Sequence, residues 1–302
     1  MIYKSKLIAQ SFSLERSLSC GQAFRWKSCG EGFFGIAKDK PLFIVQKGDV
    51  LHLSCEEEEL PFWHNYFALD CDYSEMEQIL EQDSATAPCL KYSKGIRIFR
   101  QDAFEGLICF LVSQNNNVVR ISGIVERLCA AFGQRGILYN HEYFTFPTAQ
   151  QLACATIEQL TALGTGYRAA YIQSAANKVA QGYDLEALRN TTFAQAYEQL
   201  LEFKGVGPKV AQCVMLFALG FERAFPVDVW VARIVKYLYP DGDTKLAARM
   251  VVKRFGNWSG AAQQYLFHYA RTVGLGKKKK ADSADCLKNN PDLREINDSG
   301  NC

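Results

Sequence analysis

Between about residues 20 and 55, short aromatic or β-branched runs alternate with turn residues: AFRWKS, CGEG, FFGIAKD, KP, LFIVQ, KGD and VLHLS. Apolar runs of that length bounded by Gly, Pro and Asp predict an antiparallel meander. From about residue 57 the pattern becomes acidic and helix-compatible, as in EEELPFWHNYF and YSEMEQILEQ. Beyond about 88 nearly every segment has apolar positions at helical spacing. The helical stretches are DAFEGLICFLVSQ, VVRISGIVERLCAAF, TAQQLACATIEQLTAL, RAAYIQSAANKVAQ, TFAQAYEQLLEF, PKVAQCVMLFALG, VWVARIVKYLY, LAARMVVKRF and SGAAQQYLFHYARTV, joined by short polar or Gly/Pro turns. The chain is therefore read as α+β. An N-terminal domain with an antiparallel sheet is expected over 1–88 and a mostly α-helical orthogonal domain over 89–276. A basic, then polar, disordered tail is expected over 277–302.

Composition adds little beyond a soluble globular class, with 48% hydrophobic and 22% charged residues. Charge adds more, because the net of +2 is a sum of unlike parts. Residues 1–90 hold 8 Lys and Arg against 14 Asp and Glu, a net of −6; residues 91–280 hold 24 against 13, a net of +11; residues 281–302 hold 2 against 5, a net of −3. The middle block is the candidate polyanion surface. Eleven cysteines are scattered with no CxxC pair, which fits neither a disulfide framework nor a zinc site. Four histidines, His52, His64, His141 and His268, show no ligand spacing, so a metal-dependent nuclease lacks its ligands and no metal or cofactor is expected. The opening MIYKSKLIAQSF lacks the apolar core of a signal peptide, and no segment reaches about 18 uninterrupted apolar residues. An intracellular protein with reduced thiols and no membrane partner is expected.

The segment LLEFKGVGPKVA at 200–211 reads as a helix, a glycine turn and a second helix. Pro208 suits the first helical turn, where its missing N–H costs nothing. Gly205 and Gly207 permit positive φ and close approach of another backbone. The hairpin Gly205-Val206-Gly207 could present amides to a phosphate without reading sequence, or be a plain structural turn. Lys209 lies two positions into the second helix and is either a surface charge or a nucleophile. Val210, Val214 and Phe217 form a core stripe at i, i+4, i+7, while Lys209 and Cys213 share a different edge at i, i+4. Whatever Lys209 attacks would lie against the Cys213 sulfur. In FPVDVW, Asp228 directly precedes the run VWVARIVKYL. Its position is that of an N-cap, worth about 1 kcal/mol. A carboxylate fixed there could also stabilise a cation in a transition state or move protons.

The hairpin, its lysine and the Pro-Val-Asp sequence resemble the helix-hairpin-helix Gly/Pro-Asp superfamily of DNA glycosylases. GQAFRW at 21–26, FRQDAFEGLICFLVSQNNNVVRISGIVERLCAAFG at 99–133, LGTGYRAAYI at 163–172 and QQYLFHYA at 263–270 are similar, in the expected order, to 8-oxoguanine DNA glycosylases of the eukaryotic type, which some bacteria also carry. The similarity spans about residues 15–275. It implies a bifunctional DNA glycosylase/lyase that flips 8-oxoguanine out of duplex DNA. By resemblance Lys209 attacks C1′ and forms an imine, and β-elimination then nicks the strand, with Asp228 assisting. Gly21 accepts the N7–H of the lesion, Cys213 and Phe267 sandwich the base, and Gln263 bonds its Watson–Crick edge. Asn115 fills the gap in the duplex, Arg120 and Arg168 hold the widowed cytosine, and Tyr167 wedges beside it. The resemblance also implies a monomer acting on double-stranded DNA, in the cytoplasm or nucleoid of a bacterium or the nucleus of a eukaryote.

Residue chemistry alone leaves several of these open. Asn115-Asn116-Asn117 can be a C-cap and turn, Gln263 and Phe267 can be packing positions, and an arginine in a basic domain can serve phosphate instead of a base edge. Two positions depart from the family pattern. Trp230 stands where a histidine follows the catalytic aspartate, and Ala270 where an aspartate follows the stacking phenylalanine. The two normally face one another, so their joint apolar replacement alters the expected phosphate side, where Trp230 is the candidate DNA contact. Only Cys286 and Cys302 follow Cys213, so the four-cysteine iron–sulfur loop of endonuclease III-like members cannot form. Alkylation glycosylases of this fold lack the hairpin lysine. A non-catalytic helix-hairpin-helix module would need neither Lys209 nor Asp228.

Overall fold

The computed structural model describes residues 3–240 and 244–275; the tail expected at 277–302 lies outside the described residues. A five-stranded antiparallel sheet opens the chain, formed by β1 (Ser5–Ile8), β2 (Trp26–Cys29), β3 (Gly32–Ala37), β4 (Lys40–Lys47) and β5 (Val50–Leu53) in the spatial order β1-β5-β4-β3-β2. The meander supplies β2 to β5. The edge strand β1, with Ser5 opposite Leu53, is too short and mixed to stand out as a pattern. β4 reads as an unbroken LFIV run because both of its faces are covered. Leu42 and Ile44 pack with Leu14, Leu18, Trp63 and Phe67, while the Phe43 ring on the other face meets His141 and Tyr139 at centroid distances of 4.7 and 6.3 Å.

His141 and Tyr139 belong to a feature that apolar periodicity does not reveal. Within the region read as helical, β6 (Arg135–Leu138) and β7 (His141–Phe144) form a hairpin. Its two-residue turn puts Tyr139 and Asn140 at φ of 46° and 67°, the signature of a type I′ connection. The stretch TAQQLACATIEQLTAL, read as one helix, is two short ones, Ala149–Ala153 and Ile157–Leu160. Each begins with a capping box, Thr148 with Gln151 and Thr156 with Gln159, and the second box restarts a helix where apolar spacing alone would continue the first.

Among the described residues three apolar cores form. One lies between the sheet and the Leu14–Ser19 and Leu60–Tyr66 helices. A second gathers the helices from Ala103–Ser113 to Pro208–Phe217. The third joins Tyr73, Met76, Leu80 and Cys89, early in the chain, to Val231, Ile234, Tyr265 and Leu266 near its end. Chain order and packing therefore diverge, because the early helices Ser74–Glu81 and Pro88–Ser93 cover the last one.

Arg25 ties the sheet to the helical part. Its buried guanidinium donates to Glu105 Oε2 at 3.3 Å and to the Phe144 carbonyl at 2.5 Å. Burial pushes the Glu105 carboxyl up to about 7, with Arg25 opposing the shift. The folded protein then holds a proton that the unfolded chain has already released between the ordinary glutamate range and about pH 7. This contribution to stability is complete below that window and is lost as the pH rises through about 7. Glu105→Gln is expected to remove up to about 1.4 kcal/mol per pH unit from the slope of stability against pH there. Urea melts at several pH values would show it, and parallel wild-type and variant curves would contradict it.

Candidate active site

The Pro208–Phe217 helix is central to its core: Val210, Val214 and Phe217 are buried as the stripe predicts, and Ala211, Met215 and Leu216 are buried as well. The edge left over carries Lys209 and Cys213, and it faces a pocket. Gly205 has φ +86°, and a Cβ there would lie 2.3 Å from the Tyr171 ring, so the hairpin needs glycine for both conformation and space. Val206 turns its side chain into the core and its amide to the Phe203 carbonyl at 2.9 Å; it shapes the hairpin and is not one of its free donors. Gly207 lines the adjoining groove, and the helix that follows begins without a side-chain cap.

The pocket lies where this helix meets the third core. Its walls bring together Gly21, Lys209, Cys213, Asp228, Gln263 and Phe267, six residues separated by up to 246 positions in sequence, along with Phe110, Phe217, Pro226 and Gln264. The Lys209 amine lies 5.9 Å from the centre of the Phe110 ring and against the Cys213 sulfur. Burial pushes the Cys213 thiol up, and the Lys209 charge opposes that shift, so the sulfur remains a thiol. Asp228 caps the Val229–Leu238 helix as predicted, its Oδ1 accepting from the amides of Trp230 at 2.9 Å and Val231 at 2.8 Å. Gln263 is 3% exposed, and its Oε1 is buried without a hydrogen-bond partner. An orphaned amide oxygen on a pocket-lining residue needs an explanation, and a ligand donor supplies one.

The pocket opens into a long groove edged by Asn115, Asn116, Asn117, Val119, Val229, Trp230 and Arg271. Asn115 is exposed at φ 46°, and its Nδ2 donates to the Tyr167 hydroxyl at 3.3 Å. Asn117, the last of the triplet, is an N-cap, bonded to the Arg120 amide at 3.0 Å. The two arginines expected to act together are placed differently. Arg120 is exposed, whereas Arg168 is 4% exposed and donates to the carbonyls of Thr165 at 3.2 Å, Asn115 at 3.4 Å and Gln114. Trp230 is half-buried against the third core, with the Arg233 guanidinium 4.8 Å from its ring. Sequence reading missed Phe110, Val119, Val229 and Arg271. Val119 and Val229 are 84% and 64% exposed at helix starts, where apolar residues give no hint of a groove. Among the described residues no group of three or more His, Cys, Asp or Glu could hold a metal ion, and no helix is long and apolar enough to cross a membrane.

Residues 5–107 match the family model of the 8-oxoguanine DNA glycosylase N-terminal domain, and residues 108–258, half of the chain, match that of HhH-GPD superfamily base excision DNA repair proteins. The chain belongs to the HhH-GPD superfamily. It is a base-excision DNA repair enzyme with an N-terminal domain of the 8-oxoguanine glycosylase type. Relatives include the N-glycosylase/DNA lyase OGG1 of Arabidopsis thaliana, 31% identical over 87% of this chain and 78% of the relative. A probable N-glycosylase/DNA lyase of Methanothermobacter thermautotrophicus is 30% identical over 69% of this chain and 74% of the relative. Among solved structures, the Clostridium acetobutylicum 8-oxoguanine glycosylase/lyase bound to DNA with cytosine opposite the lesion superposes with a TM-score of 0.84 at 32% identity, covering 91% of this chain and 100% of that one. A 3-methyladenine glycosylase of Archaeoglobus fulgidus, at 20% identity and a TM-score of 0.75, shares the fold of this HhH-GPD enzyme.

Proposed function

We propose that this HhH-GPD enzyme excises 8-oxoguanine from duplex DNA, prefers cytosine opposite the lesion, and nicks the strand through a Lys209 imine. The observation that carries the reading is the convergence of Lys209, Cys213, Asp228, Gly21, Gln263 and Phe267 on one pocket beside an open groove. The flipped base lies between Cys213 and Phe267, Gln263 Oε1 receives a donor from its Watson–Crick edge, and the Gly21 carbonyl accepts the N7–H that guanine lacks. The Lys209 amine attacks C1′ and the glycosidic bond breaks, with its electron pair leaving on the base. Opening of the sugar gives an imine, and loss of a proton from C2′ expels the 3′ phosphate. Asp228 stabilises the cationic sugar as the base departs.

Borohydride tests this directly, because reduction of the imine leaves a covalent protein–DNA adduct. Trapping on 8-oxoguanine duplexes in EDTA is expected, and its absence would remove the mechanism. On the opposite strand we assign Arg120, an exposed guanidinium, to the cytosine edge. Arg168 reaches the same base only by exchanging its bonds to the Gln114 and Asn115 carbonyls. Arg120→Ala is expected to reduce the preference for cytosine over the other bases by about 1–3 kcal/mol, roughly 5- to 150-fold. Excision by the wild-type enzyme that is indifferent to the opposite base would take this role from both arginines.

A further inference from the structure

Among the described residues, Arg271 is a cation at the active-site groove with no carboxylate to neutralise it. It lies on the Ser259–Val273 helix, two turns beyond Gln263 and one beyond Phe267, so all three share a face. Among the described residues its hydrogen bond goes to the Ser19 carbonyl at 3.4 Å and it makes no ion pair. A Cβ built on Gly21 would lie 3.4 Å from its Nη1, so the guanidinium sits directly over the glycine expected to read the lesion. The local field is positive: Arg271 and Arg16 both hold the His268 imidazole down, after burial. Arg271 borders the open groove, yet it is absent from the walls of the base pocket.

We infer that Arg271 binds a backbone phosphate of the lesion strand beside the flipped nucleotide, so that the contact forms with the strand and not with the base. The inference rests on the reading of the groove as the DNA site. A guanidinium matches a phosphodiester with a planar fork of donors. Its place in the groove but outside the pocket separates it from the groups that touch the base. Trp230, which edges the same groove, has no charge to offer a phosphate. Arg271 supplies positive charge there.

The test compares DNA binding by full-length Arg271→Gln and Arg271→Lys with the parent across a range of salt. Two duplexes serve as probes, one with a tetrahydrofuran abasic analogue and one with 8-oxoguanine, the latter in a Lys209→Gln background so that the lesion is not consumed. Loss of one phosphate contact lowers the slope of log affinity against log salt by about 0.9 and weakens binding roughly tenfold at about 0.1 M salt. The same loss is expected on both duplexes, with the slope restored by Arg271→Lys and the thermal midpoint unchanged. A loss confined to the 8-oxoguanine duplex, with the slope intact, would show that Arg271 touches the base and would overturn the inference. So would an unchanged slope on both. A wild-type enzyme that binds the abasic analogue with this slope but leaves 8-oxoguanine in place would overturn the proposed substrate and leave the phosphate contact standing.

Discussion

Lys209→Gln is expected to bind an 8-oxoguanine duplex about as well as the wild-type enzyme and to give neither a borohydride-trapped adduct nor a nicked strand. Glutamine keeps an unbranched stem and a polar end, one atom shorter, but has no amine to attack C1′. The loss should be on the order of a thousandfold or more, the usual consequence of deleting a nucleophile. Binding survives because the hairpin and the other residues that line the groove and the pocket remain in place. The helix should also survive: Lys209 is partly exposed, and the helix is anchored by Val210, Ala211 and Val214, which are buried. Gel-shift titration, trapping and nicking on the same duplex separate these outcomes. A variant that still forms the adduct would place the nucleophile elsewhere.

The second large effect concerns Asp228, where capping and chemistry can be separated by choice of substitution. Both amide bonds of the cap go to Oδ1. Asparagine retains a carbonyl oxygen for those bonds and is as good an N-cap as aspartate, so Asp228→Asn should change stability by no more than a few tenths of a kcal/mol. Asp228→Ala loses the cap as well and should cost about 1 kcal/mol. If the carboxylate stabilises the cationic sugar, both variants lose about 10²- to 10³-fold in single-turnover base release, whatever their stability. Should activity follow stability, with Asp228→Asn near wild type, Asp228 would be a cap alone.

Local features of the fold are legible in the residues themselves. Sheet-then-helix order follows from a change in apolar period from two to about 3.6, a local property. The Lys209 and Cys213 edge follows from helical spacing once Pro208 and Gly207 mark the start. Asp228 announces itself as a cap because capping is set by the residue and the run after it. The β6–β7 hairpin escapes such a reading because its strands are only four residues each and partly solvated, so their alternation is weak. The Thr148 and Thr156 caps escape it because apolar spacing continues across the break.

The site itself depended on distance in space. By itself the sequence determined which local chemistry was present: an amine at a helix start, a carboxylate at a cap and a glycine hairpin between helices. Family likeness assigned the rest. Only the tertiary structure decided that Gly21 and Phe267, 246 residues apart, share a wall, that Gln263 holds an oxygen without a partner, that Arg168 is buried on backbone carbonyls while Arg120 is exposed, and that Arg271 faces the groove. The reason is physical. Helical periodicity determines which side of a helix is apolar, but whether a polar residue on the remaining side meets water, a carbonyl or a pocket is decided by the elements packed against it. Here those elements come from opposite ends of the chain.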